Sequence, residues 1–132
     1  MIRYLSVEQV VSLHQRVIGH LTDVGVRDFR ALEGAVSRPA VTFETEDLYP
    51  TLEAKAAALL HALTTTAPFT DAARETALLA AECFLIANGT TLHATDRDLA
   101  RVGAAVASGE MNVDALAIWI RQRTAAVRRP EL

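Results

Sequence analysis

The stretch Ala67-Pro68-Phe69-Thr70-Asp71-Ala72-Ala73-Arg74-Glu75-Thr76-Ala77 sets two carboxylates and a guanidinium close together between two long apolar patterns of helical period. Pro68 disfavours helical geometry in the residue before it, so the first pattern stops at Ala67. Asp71 is placed to cap the second. A loop that feeds a helix N-terminus offers unpaired N–H groups and the positive end of the helix dipole, which together favour an anion. The chemistry this suggests is a phosphate-facing turn. It does not name a reaction.

Other reactive side chains have plainer readings. His14 falls on the apolar side of the first helical pattern and reads as a hydrogen-bonded core histidine rather than a ligand. His93 reads as a surface residue. Cys83 lies in an apolar helical run and reads as core rather than nucleophile, and as the single cysteine it excludes an internal disulfide. The cluster Glu44, Glu46 and Asp47 is either a metal site or a solvated loop, and the loop is preferred because nothing fixes the carboxylates together. Arg121, Arg123, Arg128 and Arg129 could face an acidic partner, but a helix C-terminus favours positive charge in any case, which makes a solvated tail the better reading.

The elements that must carry these residues follow from period and punctuation. Ser6 and Gln9 form a capping box at the start of a first helix whose apolar face is Val10, Leu13, Val17 and Leu21, closed by Gly25. Asp28 caps a shorter helix that runs to about Ser37, with Pro39 just beyond. Residues 41–46 alternate apolar and polar and predict a short extended segment or flap. Thr51 caps a third helix carrying Leu52, Ala56, Leu59, Leu60 and Leu63. The helix after the central loop, from about Asp71, is apolar around most of its circumference and is expected to be the central, buried one; Asn88-Gly89 ends it. Residues 90–94 read as a short connection, either irregular or extended. Thr95 caps the next helix and Gly109 closes it, and Asn112 caps the last, before the arginine-rich tail.

The chain has 132 residues, 51% of them hydrophobic and 5% aromatic, and carries a net charge of -3. That is one domain of 1–132, with enough residues for its own core, built as an alanine-rich, all-α helical bundle of about six helices. The charge argues against a general nucleic-acid binder. No apolar run is long enough to span a bilayer and the N-terminus lacks a signal-peptide pattern, so the expectation is a soluble, cytoplasmic protein with no membrane partner.

The central stretch resembles the signature of the Fic/Doc family, His-x-Phe-x-Asp/Asn-Gly/Ala-Asn-Lys/Gly-Arg. Phe69, Asp71 and Ala72 fit it; Ala67 stands in the histidine position, Ala73 in the asparagine position, Arg74 where lysine or glycine is usual and Glu75 where arginine is usual. The similarity to the Doc branch continues through Tyr4-Leu5-Ser6-Val7-Glu8-Gln9-Val10 with Leu13-His14, Gly25-Val26-Arg27-Asp28 with Leu32-Glu33, Ala35 and Pro39, Leu48-Tyr49-Pro50-Thr51-Leu52-Glu53 with Lys55-Ala56-Ala57, and Gly109-Glu110-Met111-Asn112-Val113.

The resemblance implies a compact Fic-like fold with a small flap. It implies transfer of phosphate or AMP from ATP, with magnesium, to a protein hydroxyl. For the Doc branch it further implies a toxin acting on translation elongation factor Tu and restrained by a small antitoxin. By the same resemblance Asp71 is the magnesium ligand, and Asp71, Ala72, Ala73 and Arg74 form the phosphate or nucleotide site. Structural readings stand beside these: Asp71 as a helix cap, Arg74 and Glu75 as decoration of the first turn. Ala67 has no titratable group and cannot act as the base. His61 lies six residues before Ala67, more than a helical turn and a half away, and reads as a helix residue rather than a substitute base. Glu75 sets a like charge against a phosphate, a repulsion of about 1–4 kcal/mol at close range. Two functions follow: a Doc-like toxin with altered or impaired transfer, or a non-catalytic protein-binding module on the same fold.

Overall fold

A computed structural model describes residues 1–19 and 25–126. Six helices carry the fold among these residues: α1 (Val7–Ile18), α2 (Phe29–Ser37), α3 (Leu52–Thr66), α4 (Ala73–Ala87), α5 (Asp96–Ser108) and α6 (Val113–Gln122). A 3-10 turn, Arg38–Ala40, follows α2. The strands β1 (Thr42–Phe43) and β2 (Glu46–Asp47) pair as an antiparallel hairpin, which is the expected flap. Its turn places Glu44 and Thr45 at φ 50 and 71, the left-handed pair that matches the twist of a tight hairpin.

Local signals set most helix starts. Ser6 accepts the Gln9 N–H at 3.1 Å while Gln9 Oε1 accepts the Ser6 N–H at 2.8 Å. Asp28, Thr51, Thr95 and Asn112 each accept an N–H three residues on, at 2.9–3.1 Å. Each such bond satisfies one of the donors that a helix leaves unpaired at its start.

Three expectations are corrected. The first helix ends at Gly19, not Gly25: Gly19 takes φ 65 and sends its N–H back to Gln15 O at 3.0 Å. Leu21, expected on its apolar face, lies outside the described residues. The central helix is α3 rather than α4. Residues Lys55 to Leu60 are buried without a break, with Leu63 and Thr64, because α3 packs against α4, α6, α2 and α5 and its alanines let them close in. Helix α4 buries Thr76, Ala77, Ala80, Ala81, Phe84 and Leu85 but leaves Ile86 57% exposed. Finally, the tail after α6 is not all solvated. Thr124–Ala126 form β4, antiparallel to β3 (Thr90–Leu92). Arg123 lies over the Trp119 ring at 4.3 Å and Arg121 is exposed; Arg128 and Arg129 fall outside the described residues.

The core joins Val10 of α1, Leu32 of α2, Leu59, Leu60 and Leu63 of α3, Phe84 and Leu85 of α4, Val106 of α5 and Leu116 and Ile120 of α6. At the C-terminal end of α4, the Asn88 side chain bonds the Arg3 backbone in both directions, at 2.8 and 2.9 Å, and donates to Phe84 O at 2.8 Å.

Candidate functional site

The loop between α3 and α4 is shaped from outside itself. Helix α3 stops where Ala67 turns left-handed at φ 43. The Arg27 guanidinium donates to the carbonyls of Thr66, at 3.4 Å, and of Ala67. Pro68 is buried, and its carbonyl accepts the N–H groups of Arg27 and Asp28 at 2.7 and 3.2 Å. Val26 and Phe69 form an antiparallel bridge. Thr70 completes the pairing: its N–H donates to Gly25 O and its hydroxyl accepts the Gly25 N–H, both at 2.9 Å. The segment 25–28 therefore runs beside the loop like a short strand partner.

From the other side comes His14. It is 2% exposed and its ring stacks on Phe69, with centroids 3.9 Å apart and planes 7° from parallel. Its Nε2 lies 3.0 Å from Asp71 O. A carbonyl oxygen only accepts, so Nε2 carries the proton. The expectation of a hydrogen-bonded core histidine holds. What the spacing did not reveal is its partner, the backbone of the loop that organises the chain.

Asp71 does not cap α4. Its Oδ1 accepts the N–H of the next residue, Ala72, at 2.7 Å. Ala72 is itself left-handed at φ 58, ψ 28, and no side chain caps the helix that follows. The left-handed turn directs the Asp71 carboxylate to the loop's own N–H rather than to the first turn of α4. The first-turn N–H groups of Ala73, Arg74 and Glu75 are thus left for water or a ligand, at the positive end of the dipole. Asp71, Arg74 and Glu75 are exposed, and Ala72 and Ala73 half-buried. The candidate residues do lie together.

The guanidinium and the second carboxylate turn toward α5. The Arg74 stem crosses Gly103: a methyl group there would sit 2.9 Å from Arg74 Cδ. Between α4 and α5 lies an open cavity of about 320 Å³, lined by Arg74, Glu75, Leu78, Glu82, Asp96 and Leu99. Burial, and then the charge of Asp96, raise the Glu82 pKa above its ordinary 4.5. Among the described residues the one ion pair is Lys55–Asp47, so Arg74 is not neutralised by a carboxylate of this cavity.

The remaining candidates stand apart from the loop. His61 lines a cleft with Arg38, Tyr49 and Asp114, and its pKa is lowered by burial and then by Arg38. His93 is exposed. Cys83 is half-buried, and burial and then Glu82 push its thiol pKa up against the opposing pull of Arg16, which does not suit a nucleophile. Among the described residues no three His, Cys, Asp or Glu side chains are grouped to hold a metal ion. Glu44, Glu46 and Asp47 accordingly form no such group, although Asp47 is fixed by Lys55. A magnesium ion keeps several waters and takes one or two carboxylates plus substrate phosphates. Asp71 fits that need as a single carboxylate beside free N–H groups.

The fold is a helical bundle in which α4 starts without a side-chain cap, and comparison with known proteins gives the class. The model of the Fic/DOC family matches residues 4–85, which include the loop and its supports His14 and Gly25–Asp28. Toxin Doc of Mycolicibacterium smegmatis is 35% identical over 131 residues, covering 97% of this chain and 98% of that protein. The chain belongs to the Fic/DOC family. No helix among the described residues is long and apolar enough to cross a membrane.

Proposed function

We propose that this protein is a Doc-like toxin of a toxin–antitoxin pair whose site binds the phosphates of ATP with magnesium and transfers phosphate or AMP weakly, or by an altered route, to a protein such as elongation factor Tu. The near full-length similarity to a protein named Toxin Doc supports the toxin and its small antitoxin partner. The observation that carries the phosphate reading is the uncapped start of α4 beside the exposed Asp71. In this reading the free N–H groups of Ala73 and Arg74 and the Arg74 guanidinium contact phosphate oxygens, Ala72 shapes the turn with its N–H held by Asp71 Oδ1, and the other carboxylate oxygen of Asp71 holds the metal. Bound magnesium would supply charge neutralisation on those oxygens.

A second reading, a non-catalytic protein-binding module, is favoured by a specific feature: Ala67 presents only a methyl group and its carbonyl is already engaged by Arg27. No base stands at that position to take the acceptor proton. Calorimetry with ATP, with and without magnesium, separates the two. Saturable magnesium-dependent binding that disappears in Asp71→Ala is the expected result. Absence of binding at millimolar ATP, in a folded protein, would turn the assignment to the binding module.

A further inference from the structure

Lys55 stands in the first turn of α3 and is 1% exposed. Its Nζ donates to Asp47 Oδ2 at 3.0 Å and to Pro39 O at 3.3 Å, and lies 5.6 Å from the centre of the Tyr4 ring. Three separate parts of the chain meet on one ammonium: the segment before α1, the 3-10 turn and the end of the flap. Burial pulls the Lys55 pKa down, while Asp47 and Tyr4 push it up and prevail, so the side chain stays charged.

The flap has little else to hold it. Both of its strands are two residues long and consist of exposed residues. Phe43, the apolar side chain they carry, is 68% exposed and so seats nothing. A bond from Leu48 N–H to Val41 O, 2.9 Å, closes its base. A hairpin of this kind is marginal in water without a packed face. An apolar residue at position 55 would fill the same space without the cost of stripping water from a charge, and such replacements of buried ion pairs are often neutral or stabilising. A buried ammonium is therefore better explained by the orientation it imposes than by the stability it adds.

We propose that Lys55 is the positioning residue of the flap, its ammonium tying β1–β2 and the 3-10 turn to α3 in one fixed orientation. The proposal concerns the order of the flap and does not rest on the phosphate-transfer reading.

Hydrogen exchange read by mass spectrometry, alongside thermal unfolding, tests it in Lys55→Met and Asp47→Ala. The amides of residues 42–48 should exchange about tenfold faster or more in both variants, while those of residues 56–60 keep the parent rate. Lys55→Met should hold the parent unfolding midpoint, whereas Asp47→Ala should lower it, because it leaves a buried ammonium without its counter-charge. A role confined to stability would move the midpoint and the exchange of both regions together, and that outcome overturns the proposal. Where Lys55→Met fails to fold, Asp47→Asn carries the test, since it keeps an oxygen acceptor and removes the charge; about threefold faster flap exchange is expected there. Flap exchange within about twofold of the parent in the folded variants also overturns it.

Discussion

Helices α3 and α4 follow one another in the chain and begin in opposite ways. At α3 the Thr51 hydroxyl accepts the Ala54 N–H at 3.0 Å, and the terminus is satisfied by its own neighbour. At α4 a left-handed alanine precedes the helix and no side chain caps it. The loop before it is shaped instead by residues far away in sequence: His14 on Asp71, Gly25 on Thr70, Arg27 on Pro68 and Ala67. A terminus satisfied locally is closed. One supported from a distance keeps its first-turn donors free, at the cost of depending on a frame that local sequence does not supply.

Removing that frame should have the largest effect. Phe69→Ala deletes the ring that His14 stacks on, in a position 3% exposed. A loss of about 3–5 kcal/mol in urea-induced unfolding is expected. A loss near that of an exposed loop residue would mean that the loop does not need its distant support. The contrast between the two helix starts is sharpened by a smaller pair of changes. Thr51→Ala should cost about 1 kcal/mol. Ala72→Gly should instead stabilise by about 0.5–1 kcal/mol, because glycine takes the left-handed backbone of φ 58 without a Cβ penalty. Thermal unfolding of both would show the opposite signs.

The smallest effect is a pH slope. The Glu82 pKa is raised by burial and then by Asp96 above its ordinary 4.5. The folded state therefore keeps this proton at a pH where the unfolded chain has lost it. The stabilisation that results is complete below 4.5 and is lost as pH rises through the raised value. Glu82→Gln should remove that slope, so its stability relative to the parent climbs across the same interval and then levels. Denaturation midpoints measured from below 4.5 to neutrality check it.

Much of the scaffold was legible because its signals are short-range. The capping box of Ser6 and Gln9, the caps Asp28, Thr51, Thr95 and Asn112, and the flap all appear where residue type and spacing place them. The site was legible as a place, through Pro68, Phe69 and Asp71, and less so as a geometry. Asp71 in front of a helix reads as a cap, yet the left-handed Ala72 between them redirects its carboxylate. His14 was recognisable as buried, but not as the partner of Asp71, since nothing in the first helix points so far along the chain. The contacts of Arg27 and Lys55 have no signature in the sequence, because a single basic residue near an element boundary has no periodicity. Strand β4 was hidden for a related reason: Thr124 to Ala126 have no strand pattern of their own and depend on β3.

The far end of α4 is held by contacts of its own, apart from the loop. There Asn88 grips the Arg3 backbone and β3 leads off to its partner strand, so the helix is secured at the end opposite the loop. A helix of 15 residues separates the two ends by about 22 Å. The positions that depart from the family signature, Ala67, Ala73 and Glu75, are exposed or half-buried and lie at or beside the other end. Side-chain changes there touch none of the atoms that seat the far end of the helix. A helix seated in this way keeps its place in the bundle whatever side chains its first turn presents.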